Sequence, residues 1–132
     1  MDLEGKVRRV TTRERGLAAE DRALQHLQAQ GLRMVARNFK TPGRGGGEID
    51  LIMRERDGTL VFIEVRLRSR SDRGGAGASI TATKRRRIVL AARHFLLRCR
   101  SMPPCRFDAV LIDGPEGELQ WLRAAFDAGD AA

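Results

Sequence analysis

The sequence is poor in the residues that define several classes of functional site. It contains two cysteines, two histidines, one tryptophan, five phenylalanines and no tyrosine. Cys99 and Cys105 stand six positions apart without a neighbouring histidine, which is neither a zinc nor a redox spacing, so we interpret both as reduced thiols. The scarcity of aromatic residues argues against the extended base-stacking surface that single-strand binders use.

Long apolar runs are also missing. Nowhere do about 18 apolar residues run together, and the first residues, MDLEGKVRRV, include two acids and lack the apolar segment of a secretory signal. The sequence therefore predicts a soluble cytoplasmic protein that does not associate with a membrane. A chain of 132 residues, 42% of them hydrophobic, suits one domain. We place that domain at 13–126, between an N-terminal extension (1–12) and a frayed tail (127–132).

Positive charge is concentrated in one region. The net charge is +8, but the segment from Arg66 to Arg106 has twelve Lys and Arg residues against the single acid Asp72, while the rest has thirteen bases and sixteen acids. Such a region is typical of a polyanion-binding face, and we expect nucleic acid, most simply the backbone of duplex or branched DNA, with RNA left open. A solvated arginine-rich surface is the alternative. The residues expected to hold phosphates are Arg68, Arg70, Arg73, Arg85, Arg86 and Arg87.

A first helix is predicted to run from Thr11 or Thr12, either of which can cap it, to about Gln30. Glu20 falls within its apolar stripe, which consists of Leu17, Leu24 and Leu27. Glu20 is therefore expected to face the core or a cleft beside it, unless it lies at the edge of the stripe and reaches water.

A second helix is predicted to begin after Thr81 or Thr83 and to end near Arg100. Lys84 lies one turn before the buried stripe and in line with it, so its side chain is expected to point inward unless its ammonium group reaches past the core to solvent. The members of that stripe are Ile88, Ala91, Ala92, Phe95 and Cys99.

Strands are predicted from alternating apolar residues and turn signals at 32–39, 48–55, 60–68 and 106–113, and 119–126 is a short final strand or an edge segment. The order is helix, three strands, helix, strand, without an internal repeat or heptads. This order predicts an α/β domain with a mixed central sheet.

Two acids interrupt the apolar strands in GEIDLIMRERDGTLVFIEVRLR, residues 47–68. A three-residue turn at 56–58, with Gly58 left-handed, would place Asp50 opposite Glu64 on one face of the sheet, whereas a two-residue turn would separate the acids. Opposed carboxylates repel each other unless a cation lies between them. Mg²⁺ or Mn²⁺ would serve, since hard oxygen ligands suit such ions.

Salt bridges from the acids to Arg66 or Arg44 are the structural alternative to a metal. If a metal binds, its water would attack phosphorus, Glu20 would orient water or complete the metal shell, and Arg66 and Lys84 would stabilise charge on the phosphate. A triad hydrolase is disfavoured, because His26 falls on the outward side of the first helix and His94 has no evident partner.

The ordered motifs GLAAEDRALQHL, ARNF, GEIDLI, VFIEVRLR, RFDAVLI and AAF resemble the YraN-like family of small bacterial proteins over roughly residues 13–126. That family is related to archaeal Holliday junction resolvases and to PD-(D/E)XK nucleases. The resemblance implies a restriction endonuclease-like core of helix, three strands, helix and strand, and Mg²⁺-dependent hydrolysis of phosphodiester bonds. By analogy with resolvases, it also implies a homodimer.

By this resemblance, Asp50 and Glu64 match the acids of the two metal motifs, Glu20 matches a first-helix glutamate, and Lys84 matches a lysine of the family. Arg66 departs from the pattern, because it stands where the family has the lysine of EVK and a guanidinium does not exchange a proton with water. Two functions follow: a metal-dependent DNA endonuclease, or a non-catalytic module that binds nucleic acid or protein and retains the nuclease fold.

Overall fold

Threonine caps fix the start of both helices. In the computed structural model, which describes residues 9–68, 80–114 and 117–131, helix α1 spans Thr12–Ala29 and helix α2 spans Ala82–Leu96. The Thr11 hydroxyl accepts a hydrogen bond from the Glu14 N–H at 3.1 Å, and the Glu14 carboxylate accepts one from the Thr11 N–H at 2.9 Å. This reciprocal capping box satisfies two backbone donors at the start of α1.

Helix α2 ends at Leu96, earlier than the predicted end near Arg100. The N–H groups of the next three residues bond to carbonyls three positions back rather than four, so the chain tightens into 3₁₀-type turns. Residues Ala128–Ala131, in the segment predicted to fray, form a short 3₁₀ helix that contacts α2. No helix in the described part of the chain is both long and apolar enough to cross a membrane.

The strands form one mixed sheet, which confirms the predicted α/β class. Strands β3 and β4 are parallel and the other neighbours are antiparallel, in the order β1-β2-β3-β4-β5. The segment near the C-terminus is a full antiparallel edge strand. The bounds of β1 to β5 are Arg33–Lys40, Glu48–Arg54, Leu60–Arg68, Cys105–Asp113 and Leu119–Phe126.

An apolar cluster covers each face of the sheet, one beneath α2 and one beneath α1. Strand β3 alternates between them as predicted, with Phe62 in the α2-side cluster and Val61 and Ile63 in the α1-side cluster. The stripe predicted for α1 is partly wrong, because Leu17 is exposed and the buried residues are Ala19, Ala23 and Leu27. Small alanines allow α1 to lie close to the sheet, which moves its contact line away from Leu17.

The turn between β2 and β3 has the predicted form. The strands pair from Arg54 with Leu60 to Leu51 with Ile63, and the Glu55 N–H donates to the Thr59 carbonyl at 2.9 Å. Three residues remain in the turn, and the last, Gly58, has a φ of +95°. Asp50 and Glu64 are the next residue of each strand beyond the last of these pairs.

Strand β1 changes face at Asn38. Arg37 contacts α1, whereas Phe39 packs in the α2-side cluster. Asn38 lies between them with a φ of +53°, a left-handed conformation that asparagine adopts more readily than most non-glycine residues. Their partners in β2 divide in the same way, with Leu51 toward α1 and Ile49 toward α2.

Asp108 is fully buried, and its charge is compensated within the protein. Its carboxylate accepts hydrogen bonds from Arg106 at 2.9 and 3.0 Å, from Trp121 Nε1 at 2.9 Å and from the Ala124 N–H at 2.9 Å. Arg106 also donates to Glu55 at 2.7 Å. The hydrogen bonds of Asp108, the acid of the RFDAVLI motif, therefore indicate a structural role for this residue.

Gly47 allows β2 to approach α2 closely. A Cβ atom at this position would overlap the Arg87 carbonyl oxygen and would lie 2.7 Å from the Ala91 nitrogen. The Gly47 N–H donates to Thr41 Oγ1 at 2.7 Å, and the Gly47 carbonyl accepts from the Thr41 N–H at 3.0 Å. The strand segment that bears Asp50 is thereby held against the first turns of α2.

We expect Gly47→Ala to lower the free energy of unfolding by about 1–3 kcal/mol, because the added methyl group forces β2 away from α2. The matched control is Gly16→Ala in α1, where an added Cβ meets nothing within 4 Å and alanine favours the helix. Urea unfolding of both variants measures the difference. Equal stability of the Gly47 variant and the wild type would contradict the close approach.

Candidate metal centre

Asp50 and Glu64 meet at the end of the β2–β3 ladder. Asp50 Oδ2 accepts a hydrogen bond from the Val65 N–H at 2.8 Å, and the Asp50 carboxyl lies within hydrogen-bond reach of Glu64. The Glu64 side chain is only 8% exposed. Burial and the neighbouring Glu64 together raise the pKa of Asp50 to about 8, against the opposing effect of the Val65 N–H.

Lys84 projects from the first turn of α2 toward this pair. Its Nζ atom lies 3.0 Å from Glu64 Oε2, so the lysine points toward the acids as the helical spacing predicts. Its side chain is nevertheless 53% exposed, which leaves the ammonium group in contact with solvent. The Thr81 hydroxyl accepts the Lys84 N–H at 3.2 Å and anchors this turn.

A small cavity of about 20 Å³ connects these groups, which is room for about one water-sized sphere. Two charged residues not predicted at the catalytic centre also contribute. Glu48 precedes Asp50 by two positions, and Arg87 donates from Nε to the Gly46 carbonyl at 3.3 Å. The cavity is lined by Glu48, Asp50, Glu64, Lys84, Arg87 and Ile88.

Sequence spacing contained a signal for Arg87, which follows Lys84 by three positions, close to one helical turn. Strand parity gave no such signal for Glu48, because β2 changes face between Ile49 and Leu51. The three arginines in the run from Arg85 to Arg87 have the same chemistry, so which of them faces the acids depends on the exact packing of α2 against β2.

Glu20 lies on the α1 side and does not line the cavity. Its Oε1 atom is 3.3 Å from Arg37 Nε, a partner that sequence reasoning missed because seventeen positions separate the two residues. Glu20 is nevertheless near enough to the acid pair for its charge to contribute to the raised pKa of Asp50, after burial and the effect of Glu64.

Arg66 follows Glu64 by two positions on β3 and pairs with Leu111 of β4. Strand alternation therefore places Arg66 on the same face as Glu64, as predicted.

Two of the predicted phosphate-binding arginines interact with other parts of the protein. Arg68 Nε lies 2.9 Å from Asp113 Oδ1, and the Arg68 side chain is only 10% exposed. Arg85 donates from Nε to the Ile80 carbonyl at 2.9 Å, and its guanidinium carbon lies 6.0 Å from the centre of the Phe126 ring. Both side chains stabilise strand or helix ends, which makes them weaker candidates for DNA contacts.

Two other arginines predicted to bind phosphates, Arg86 and Arg87, are exposed on α2. Arg86 lies 3.3 Å from Thr83 Oγ1, one turn earlier in the chain. Arg70 and Arg73 lie outside the described residues. The surface that α2 presents beside the acids is thus basic, with Lys84, Arg86 and Arg87 within four consecutive positions.

Residues 19–112 match the sequence profile of the Uncharacterised protein family UPF0102. The chain belongs to the UPF0102 family. It is 70% identical over 125 residues to the UPF0102 protein of Paracidovorax citrulli (strain AAC00-1), covering 95% of this chain and 91% of that relative. The UPF0102 protein of Acidovorax sp. (strain JS42) is 69% identical over 118 residues, covering 89% of this chain and 88% of the relative. This membership confirms the YraN-like resemblance.

The UPF0102 match extends from α1 to β4 and includes Glu20, Asp50, Glu64, Arg66 and Lys84. Among the described residues of this UPF0102 protein, no group of three or more His, Cys, Asp or Glu side chains is arranged to hold a metal ion. A metal would therefore be held by Asp50 and Glu64, with water completing its shell. Mg²⁺ accepts one or two carboxylates and keeps several waters, so the pair fits such an ion.

We expect Asp50→Asn to stabilise the metal-free UPF0102 protein increasingly as the pH rises. With a pKa of about 8 when folded and an ordinary value of 3.8, Asp50 binds a proton more tightly in the folded state. Its contribution to stability is therefore present below about pH 4 and is lost as the pH rises through about 8. Asparagine carries no charge, so its advantage should reach the order of 2 kcal/mol near pH 9.

Urea unfolding at about pH 5 and about pH 9, with a chelator present, measures this effect. Asp57→Asn is the control, because Asp57 lies in the exposed turn and the Thr59 N–H lowers its pKa. Its effect on stability should be the same at both pH values. An Asp50→Asn difference that does not grow with pH would contradict the proposed environment of Asp50.

Proposed function

We propose that this UPF0102 protein is a Mg²⁺- or Mn²⁺-dependent endonuclease that hydrolyses phosphodiester bonds in DNA, including branched or junction DNA. The observation that carries the proposal is the close pair of Asp50 and Glu64 with Lys84 at 3.0 Å. Two carboxylates and a cation beside a small cavity suit metal-assisted attack on phosphorus. The order α1, β1 to β3, α2, β4 and the mixed sheet support a restriction endonuclease-like core.

Five residues have a role in this proposal. A bound divalent cation would supply an activated water and positive charge, and Asp50 and Glu64 would hold it. Lys84 and Arg87 approach from α2 and would bind oxygens of the scissile phosphate, whose charge increases during attack. Glu20 would orient water from the α1 side.

The basic surface of α2 supports DNA as the substrate. Arg87 lines the cavity beside the acid pair, and Arg86, the residue before it in the second turn of α2, is also exposed. Contacts of this kind bind phosphates without reading bases. We therefore expect affinity that depends strongly on salt and weakly on sequence.

One observation favours a second function, a nucleic-acid-binding module without catalysis. The ion pair between Lys84 and Glu64 compensates one of the two acids without a metal. Together with Arg66 in place of lysine, this would allow the fold to persist after loss of hydrolysis. Such a module would bind DNA equally well with a chelator present.

We expect wild-type protein to cleave at least one of four labelled DNAs, duplex, single-stranded, flap or four-way junction, with Mg²⁺ or Mn²⁺ and not with EDTA. Asp50→Asn and Glu64→Gln should each reduce cleavage at least about 100-fold while DNA binding persists, since both changes remove negative charge. Asp57→Asn is the matched control and should cleave normally. Binding of all four DNAs without cleavage would favour the module.

We expect Arg66→Lys to cleave at least as fast as the wild type, because lysine has the same charge and its amine can exchange a proton. Arg66→Met should lose activity, since it removes the cation and keeps an apolar stem. Initial rates on the preferred substrate distinguish the variants. A slower Arg66→Lys enzyme would show that this site requires the planar guanidinium.

A further inference from the structure

Arg37 joins the edge strand β1 to helix α1 through three hydrogen bonds. Its Nη1 donates to Asp21 Oδ1 at 2.7 Å, its Nη2 to the Leu17 carbonyl at 3.2 Å, and its Nε to Glu20 Oε1 at 3.3 Å. All three nitrogens of the guanidinium are thus engaged with one helix. A lysine could not reproduce this planar set of donors.

The local backbone explains why Arg37 faces α1. The left-handed conformation of Asn38 lets Arg37 and Phe39 lie on opposite sides of the sheet although two positions separate them. Phe39 is thereby anchored in the α2-side core, where its ring lies 5.4 Å from that of Phe95. Consecutive residues of the ARNF motif therefore fix the position from which Arg37 reaches Glu20.

Two of the three hydrogen bonds of Arg37 attach helix α1 to strand β1, and the third fixes the Glu20 side chain. Asp21 is exposed, and the Leu17 carbonyl belongs to the helix backbone, so those two bonds attach α1 to β1. The third partner, Glu20, is largely buried, and Arg37, which holds it, pairs with Leu51, the residue that follows Asp50 in β2. Arg37 is the only partner of the Glu20 carboxylate that the described hydrogen bonds and ion pairs include.

We propose that Arg37 is a positioning residue that holds the Glu20 carboxylate beside the Asp50–Glu64 pair. This inference rests on the proposed function, because it assigns Glu20 to the water of the metal site. Arg37 acts through Glu20 and does not touch the phosphate. Loss of an outer partner of this kind typically costs 10-fold to 100-fold in metal affinity or activity.

The direction in which Arg37→Gln changes Mn²⁺ affinity distinguishes a positioning role of Arg37 from a simple effect of its charge. Replacing Arg37 by glutamine removes a positive charge, and this by itself would strengthen the binding of a cation nearby. If Arg37 positions Glu20, the same change instead weakens Mn²⁺ binding, because the Glu20 carboxylate is no longer fixed. A purely structural link between α1 and β1 would alter stability without this change in metal affinity.

The test is a double-mutant cycle with Arg37→Gln, Glu20→Gln and the double variant, measured by Mn²⁺ titration and by kcat and KM for DNA cleavage. We expect each single variant to bind Mn²⁺ about tenfold more weakly and to lose about tenfold in kcat, with KM for DNA unchanged. The double variant should be no worse than either single one. Arg37→Lys should not restore activity.

Asp21→Asn is the matched control, because it removes the charge of the acceptor in the shortest Arg37 contact and leaves Glu20 intact. It should keep kcat and Mn²⁺ affinity within about twofold of the wild type, even if urea unfolding shows lower stability. Independent, multiplying losses in the double variant would overturn the inference. Unchanged Mn²⁺ affinity in Arg37→Gln would also overturn it.

The same measurements distinguish failure of the nuclease proposal from failure of the role proposed for Arg37. If the wild type binds Mn²⁺ but cleaves none of the DNAs, the nuclease proposal fails, and the Mn²⁺ cycle alone decides whether Arg37 positions Glu20. If the folded wild type binds no Mn²⁺, both the nuclease proposal and the role of Arg37 fail.

Discussion

Two carboxylates that face each other across neighbouring strands are the constraint on which the site depends. Asp50 and Glu64 meet because a three-residue turn sets the register of β2 and β3. Gly47 then allows α2 to approach closely enough for Lys84 to reach the pair. Without a bound cation this arrangement costs stability, as the raised pKa of Asp50 indicates. Local cost of this kind is expected at functional sites more than elsewhere in a fold.

Glu64 and Asp108, the two buried acids of the sheet, show that burial alone does not identify a functional acid. Asp108 is more completely buried than Glu64, yet Arg106, Trp121 and Ala124 supply its hydrogen bonds. Glu64 instead faces another carboxyl group and a half-exposed lysine. The partner that compensates the charge therefore separates a structural acid from a candidate ligand.

Much of the fold and the centre of the site follow from short-range rules that the sequence states directly. The parity of a hairpin register predicts that Asp50 opposes Glu64, and helical spacing predicts that Lys84 points toward them. The pairing of Glu20 with Arg37 could not be predicted, because it depends on the left-handed backbone of Asn38 and on a contact across seventeen positions. The stripe of α1 and the ion pair of Arg68 likewise depend on how closely the layers pack.

The central claim is that Asp50 and Glu64 form one cation site, and calorimetric titration with Mn²⁺ tests it most directly. The account predicts that the folded wild-type chain binds one ion, that Asp50→Asn and Glu64→Gln each abolish this binding, and that Asp57→Asn in the exposed turn keeps it. Mn²⁺ binding of unchanged affinity in Asp50→Asn would contradict the account, as would a folded wild-type protein that binds no ion.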